Sequence, residues 1–242
     1  MNQKWAEATI NNKRTMIRGG LFLCVSLWLV SHVQAGGHFD VDDAGTLDPG
    51  QCLVEAWASH TDTKPALNGQ HLGPACRVGP VELGLNLDRF SLSGERTQVF
   101  VGPQVKWTFY GQAADAPLSA AIEGNVSFDV THGRRNGGQI LLPVTWHVTE
   151  PLQLHFNLGV DWAPFTGKRS GRGGAQIEYA FNPTWSVIAE HNRAFNLWTT
   201  RGGVRYSFTP LVSLDVTAAR IGTGSEAVHS FFVGLNYEFK RP

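Results

Sequence analysis

The chain has no surplus of charge: 20 basic and 20 acidic residues balance over 242, and charged residues are only 17% of the whole. Without a basic excess there is no general pull toward nucleic acid. Setting aside residues 1–35 removes Lys4, Lys13, Arg14 and Arg18 but only Glu7, which leaves 16 basic against 19 acidic residues and strengthens that exclusion. Long apolar runs are missing as well. The run from Leu21 to Val30 is far shorter than the ~20 residues a helix needs to cross a bilayer. Outside it no stretch repeats at the helical period, so no amphipathic helix is on hand to cover a sheet. Cysteine is scarce: Cys24 sits in the apolar run, and only Cys52 and Cys76 remain.

The amino terminus reads as an address. Lys13, Arg14 and Arg18 precede the apolar run, and Val33-Gln34-Ala35 supplies the small residues that a signal peptidase requires. Residues 1–35 are therefore expected to be a cleaved secretory signal, with Met16 a second candidate start. Bulky Leu23 before Cys24 argues against lipidation. Residues 36–50, acidic, Gly-rich and unpatterned, are expected to be a periplasmic lead-in.

From Gln51 onward the period is two. Val81, Leu83, Leu85 and Leu87 alternate with Glu82, Gly84, Asn86 and Asp88; Leu152 to Trp162 and Phe231 to Phe239 repeat the arrangement most regularly. Counting such segments predicts about twelve strands over 51–242, an even number, in an all-β antiparallel transmembrane barrel. Pro-bearing turns at Gly79-Pro80, Thr149-Glu150-Pro151, Asn182-Pro183-Thr184 and Thr209-Pro210, with a longer one at 110–117, are placed in the periplasm. The alternate connections, including 131–138 and 164–174, then face outside.

Alternation alone does not say which face meets water. Two features decide. The second face carries charge of both signs on most strands, giving a predicted lumen lining of Glu82, Lys106, Glu123, His147, His155, Asp161, Glu178, Glu190, Arg201, Arg205 and Asp215. Aromatic residues favour strand ends: Trp107, Phe109, Trp146, Phe181, Trp185, Phe208 and Tyr237 beside the short turns, Phe90, Phe128, Trp162, Phe165 and Trp198 beside the others. Two aromatic girdles mark a barrel in lipid. The alternative is a soluble periplasmic sandwich or lipocalin-like barrel.

Two stretches resemble a known family. Asp42 to Gln51 (DDAGTLDPGQ) and Cys76 to Leu85 (CRVGPVELGL) are similar to the opening and second hairpin of proteobacterial outer-membrane proteins grouped under the meta-pathway of phenol degradation. The resemblance implies a barrel whose members are described as channels or transporters, and it carries no catalytic residues. The closing strand resembles the aromatic C-terminal signal read by the barrel-assembly machinery.

Cys52 and Cys76 fall opposite each other if the first loop centres near residue 64. In an oxidising compartment the pair can form a disulfide; two free thiols or a metal site are the other readings. His147 and His155 flank one turn on inward positions and are expected to face each other, but two histidines without a third ligand make a poor metal signal. Arg134, Arg135, Lys168, Arg169, Arg172, Arg193 and Arg220 lie in or beside the outside loops, where they could hold lipopolysaccharide phosphates or gather anionic solutes. The run 167–174 lacks the order of a phosphate-binding P-loop. Ser127, Asp129 and His132 cluster near the outer rim, a composition that chance also supplies.

The pattern therefore predicts a bacterial outer-membrane barrel, not an enzyme, working without a cofactor among outer-membrane lipid and lipopolysaccharide. Its predicted role is a narrow channel for small solutes, aromatic or hydrophobic ones included. A closed structural barrel and a lipid-modifying hydrolase are the alternatives. Trp57, Phe100, Leu141, Ile188 and Phe232 fall on the polar side and are expected to fill part of the interior.

Overall fold

The computed structural model describes residues 39–113, 116–163, 168–224 and 227–240. The expected signal at 1–35 lies outside the described residues. The strands are β1 (Gln51–Thr61), β2 (Leu67–Val78), β3 (Val81–Leu92), β4 (Gln98–Tyr110), β5 (Leu118–Asp129) and β6 (Arg134–Thr149). They continue as β7 (Leu152–Ala163), β8 (Lys168–Ala180), β9 (Trp185–Ala194), β10 (Leu197–Thr209), β11 (Val212–Ile221) and β12 (Val228–Lys240). Each strand pairs antiparallel with its sequence neighbours, and β1 pairs with β12 to close the barrel. Closure leaves no unpaired edge, which is the condition for strands to lie in hydrocarbon.

The pleat sorts the side chains. On β12, Phe231, Val233, Leu235 and Tyr237 stand exposed while Phe232, Gly234 and Asn236 are buried between them. The same alternation on β7 exposes Phe156, Leu158 and Val160 and buries His155, Asn157 and Asp161. Apolar groups outside and carboxylates inside invert the soluble arrangement, so the outer wall is the lipid-facing one. Trp107, Phe109, Trp146, Phe181, Trp185, Phe208 and Tyr237 form an exposed aromatic band at the end of the chain termini, and Phe128 and Trp198 stand exposed near the other end. Phe90 departs from its expected girdle position. It lies one residue off the outward register of Leu85 and Leu87, so it turns inward against Phe100, 6.0 Å between ring centres.

Several boundaries differ from the sequence reading. The stretches 134–138 and 168–174, read as loops, are strand: β6 begins at Arg134 and β8 at Lys168. Their glycines hid the alternation, yet the backbone ladder with β5 and β7 continues through them. The β9–β10 connection is only Phe195-Asn196, both with positive φ (49° and 66°), a two-residue turn that matches the twist of the hairpin. Cys52 and Cys76 are direct cross-strand partners, 4.0 Å apart at Cα, and joined by a disulfide.

The largest departure is at the start of the described chain. Of the periplasmic lead-in expected at 36–50, the described residues 39–47 run inside the barrel, with Val41, Ala44 and Leu47 fully buried, and 48–50 stand exposed before β1. An acidic segment that meets cations on the inner wall has a reason to leave water, and its three apolar side chains add burial.

Candidate functional site

The site is the lumen, and it is built from the barrel wall and the internal segment together. The segment makes no strand ladder; it is held by side chains projecting from strands all round the wall. Val41 N–H donates to Glu190 Oε2 (3.0 Å) and Asp40 N–H to Glu190 Oε1 (3.2 Å). Ala44 N–H donates to Thr145 Oγ1 (2.8 Å), while Thr108 Oγ1 donates to the Ala44 carbonyl (2.7 Å). Leu47 N–H donates to Glu82 Oε2 (2.9 Å) and its carbonyl accepts from Arg77 Nη1 (2.8 Å). Asn157, with its amide turned to satisfy both groups, donates to the Asp42 carbonyl (2.9 Å) and accepts from Asp42 N–H (2.7 Å). The wall thus supplies partners for backbone groups that would otherwise be buried unpaired.

Charge reinforces the fit. Lys106 Nζ lies 3.2 Å from Asp42 Oδ2 and 3.5 Å from Asp43 Oδ1, and Arg201 Nη2 lies 3.1 Å from Asp40 Oδ2. Burial by itself would raise the Asp42 pKa. The Lys106 ammonium, hydrogen bonds with the Glu123 and Lys106 side chains and one to the Asp43 backbone outweigh it and hold the carboxyl below its ordinary 3.8.

Along β8–β11 the interior is closed by ion pairs. Arg205, fully buried, donates through Nε and Nη2 to both oxygens of Asp215 (2.7 and 3.1 Å) and through Nη1 to Glu178 (3.4 Å). Asn236 donates to Asp215 from β12 (3.1 Å). One layer away, Arg201 Nε faces Glu190 (3.4 Å) and its guanidinium stacks over Phe232 (4.2 Å to the ring centre). On the β7–β8 wall, Arg172 pairs with Asp161 (3.3 Å).

The opposite wall is open. Between the segment and β1–β5 lies a cavity of about 470 Å³ lined by Glu55, Trp57, His71, Asp88, Phe90, Phe100 and Lys106 among others. His71 Nδ1 bonds Asp88 (2.7 Å), and the imidazole stacks flat on Trp57, 5.1 Å between centres. Gly73, beside the ring, keeps the wall thin there: an added Cβ would come within 2.6 Å of His71 Nε2.

The sequence-predicted residues divide accordingly. Lys106, Glu123, His155, Asp161, Glu178, Glu190, Arg201, Arg205 and Asp215 are buried inside; Glu82 and His147 face inward and are partly accessible. His147 and His155 do not meet. The register pairs Thr145 with His155 and His147 with Gln153, so His155 bonds Thr145 (2.9 Å) and His147 bonds the Ala116 carbonyl (2.8 Å). The expected outer-loop cations also separate. Arg134 turns in to Asp129 (3.1 Å) and Arg172 reaches Asp161, because both sit on inward strand positions. Arg135 and Arg169 face outward, and Lys168 opens β8 with its side chain outside the described residues. Asp129 pairs with His132 (2.7 Å), but Ser127 Oγ accepts from Asn136 (3.3 Å), so the three do not form a relay. Among the described residues no group of three or more His, Cys, Asp or Glu could hold a metal.

Sequence reasoning missed the residues that build the plug: Asp40, Asp42, Asp43 and the Thr108, Thr145 and Asn157 groups that receive them. The signal was present as spacing, since Val41, Ala44 and Leu47 recur at three-residue intervals between the acids.

Solved structures similar to this fold include porins and an outer-membrane channel. The KdgM porin in complex with disordered oligogalacturonate matches with a TM-score of 0.62 at 12% identity, covering 77% of this chain and 99% of its own. The COG4313 outer membrane channel from Pseudomonas putida F1 matches at 0.56 and 13%, covering 83% and 100%. The NanC porin matches at 0.53 and 11%, covering 76% and 98%. At these identities the likeness establishes the fold: with its apolar wall, this is a barrel of the bacterial outer membrane. No curated protein matches the sequence. A family model does, over residues 23–235, and the chain belongs to that family, described as uncharacterised conserved protein UCP029691.

Proposed function

We propose that the chain is a non-enzymatic outer-membrane channel for passive diffusion of small solutes, its lumen narrowed by its own residues 39–47. The observation that carries this reading is the 470 Å³ polar cavity left between the internal segment and the β1–β5 wall of a closed barrel. A structural barrel gains nothing from such a space, whereas a conduit needs one. The cavity wall combines flat rings at Trp57, His71, Phe90 and Phe100 with carboxylates at Glu55 and Asp88, a surface that suits small solutes with an aromatic or apolar body. That similar structures are a porin and an outer-membrane channel is in keeping with it, and so is the resemblance of residues 42–51 and 76–85 to the meta-pathway family.

The expected lead-in becomes, in this reading, the constriction. It is held by side chains rather than by a ladder and is therefore separable from the wall without breaking the barrel. The outward Phe231, Tyr237 and Phe239 on β12 are the proposed signal for the barrel-assembly machinery, after export directed by residues 1–35. A second reading, a closed structural barrel, is favoured by one observation: the Arg205 and Arg201 ion pairs fill the other half of the interior.

Planar-bilayer recording of the refolded protein tests the choice. Small conductance steps are expected for the native chain and larger ones for the Asp40→Asn, Asp42→Asn, Asp43→Asn variant. A variant and native protein that are both silent at every voltage would establish the closed barrel instead.

A further inference from the structure

The outer wall carries a charge asymmetry that the channel does not use. Strand positions facing the bilayer are those in register with the exposed apolar rows, and among the described ones charged side chains occur at five places only: Arg89, Arg135, Arg169, Arg193 and Arg220. All five are arginine. All stand at the end of the barrel away from the chain termini, on β3, β6, β8, β9 and β11. No Asp, Glu or Lys shares the outward face of the described strands, and the opposite rim is aromatic.

Among the described residues the hydrogen-bond partners of these cations are uncharged. Arg89 donates to Gln70 Oε1 (2.9 Å), Arg193 to Asn196 Oδ1 (2.7 Å) and Arg220 to the Gly224 carbonyl (2.9 Å), all uncharged acceptors. None of the five has a carboxylate within salt-bridge distance among the described residues. An unpaired arginine at the edge of hydrocarbon is costly unless an anion meets it. Beneath Arg169 the wall is also hollow. A depression of about 550 Å³ opens between Ile140, Val160 and Trp162, with Arg169 on its border, and Gly171 forms its floor, where an added Cβ would touch nothing.

We infer that this arginine crown, with the hollow below Arg169, is a binding surface for a phosphorylated glycolipid of the lipid A type. A guanidinium offers paired donors to a phosphate, and five of them around one rim suit a leaflet in which every lipid presents more than one phosphate. The hollow takes an acyl chain. Because the described strands carry no outward cation at the other rim, the crown also sets which end of the barrel lies in the phosphate-dense leaflet. This surface revises the set expected from sequence: Arg135, Arg169, Arg193 and Arg220 remain, Arg134 and Arg172 turn inward to carboxylates, the Lys168 side chain lies outside the described residues, and Arg89 joins.

Native mass spectrometry of the refolded full chain in detergent, with purified bisphosphorylated lipid A as probe, tests it. The native protein is expected to retain lipid A at least about tenfold better than Arg135→Gln/Arg169→Gln, the loss of a charge-assisted contact or more, and better than it retains phosphatidylglycerol. Gly171→Leu, which fills the hollow without touching a charge, is expected to weaken retention as well. Equal retention by native protein and the double variant overturns the proposal, as does equal retention of phosphatidylglycerol, which would leave only unselective lipid contact. Heat-shifted gel mobility confirms folding of each variant. Conductance is expected to be unchanged in all of them, so failure here is separable from failure of the channel reading.

Discussion

The two walls of the lumen carry the same kinds of residue and do different things. Along β8–β11, long side chains of opposite sign meet at the same height, so Arg205, Glu178 and Asp215 fill the space they enclose. Along β1–β5 the carboxylates Glu55 and Asp88 are opposed by rings and glycines, and space remains. Inward polarity therefore does not make a conduit. What decides is whether each inward charge finds its partner on the wall or on the internal segment.

The comparison can be broken most forcefully on the closed side. Arg205→Met leaves Glu178 and Asp215 buried without their cation; loss of one partner of a buried pair costs roughly 3–5 kcal/mol. Urea unfolding followed by tryptophan fluorescence is expected to show the largest shift of any variant described here. A double variant that also carries Asp215→Asn should recover part of the loss.

Next comes the clamp on the first hairpin. The disulfide closes a loop between residues 24 apart in sequence, and in the chain-entropy account its removal costs about 3 kcal/mol. Cys52→Ser is expected to lower the unfolding midpoint and the refolding yield while leaving conductance unchanged.

On the segment itself, Lys106→Met removes the cation facing Asp42 and Asp43. Conductance is expected to rise several-fold, with a smaller stability loss than at Arg205, because the segment can leave the wall and take its two carboxylates to water. Unchanged conductance would show that the hydrogen bonds to Glu190, Thr145 and Glu82 suffice to hold it.

Proton linkage sharpens the same point. The docked Asp42 carboxyl has its pKa below the free value of 3.8, so its contribution to docking is fully present above 3.8 and is lost only as pH falls through the lower docked value. The share of any acid-induced rise in conductance that Asp42→Asn abolishes is therefore expected only below pH 3.8. Such a share beginning near pH 6 would contradict Asp42 as the holding group. The smallest effect belongs to His229→Ala. It removes the exposed 2.9 Å pair with Asp62, and no change in midpoint or conductance is expected.

Much of this was legible in the chain. Twelve runs of period-two alternation fixed the strand count and the inward set, and the Cys52–Cys76 register followed from one loop position. The glycine-rich starts of β6 and β8 were not legible, because glycine carries no side chain from which to read a face. Arg134 and Arg172 were misplaced for that reason. The internal segment escaped for another: its partners are spread over residues 77 to 201, and no local pattern points to them.

By itself the sequence determined the wall, since alternation, even strand number and turn residues are local properties that the closed ladder has only to satisfy. The tertiary structure alone decided the contents. Whether an acidic segment lies in water or in the lumen depends on cations brought to one height by strands far apart in the chain, and only closure of the barrel sets those heights.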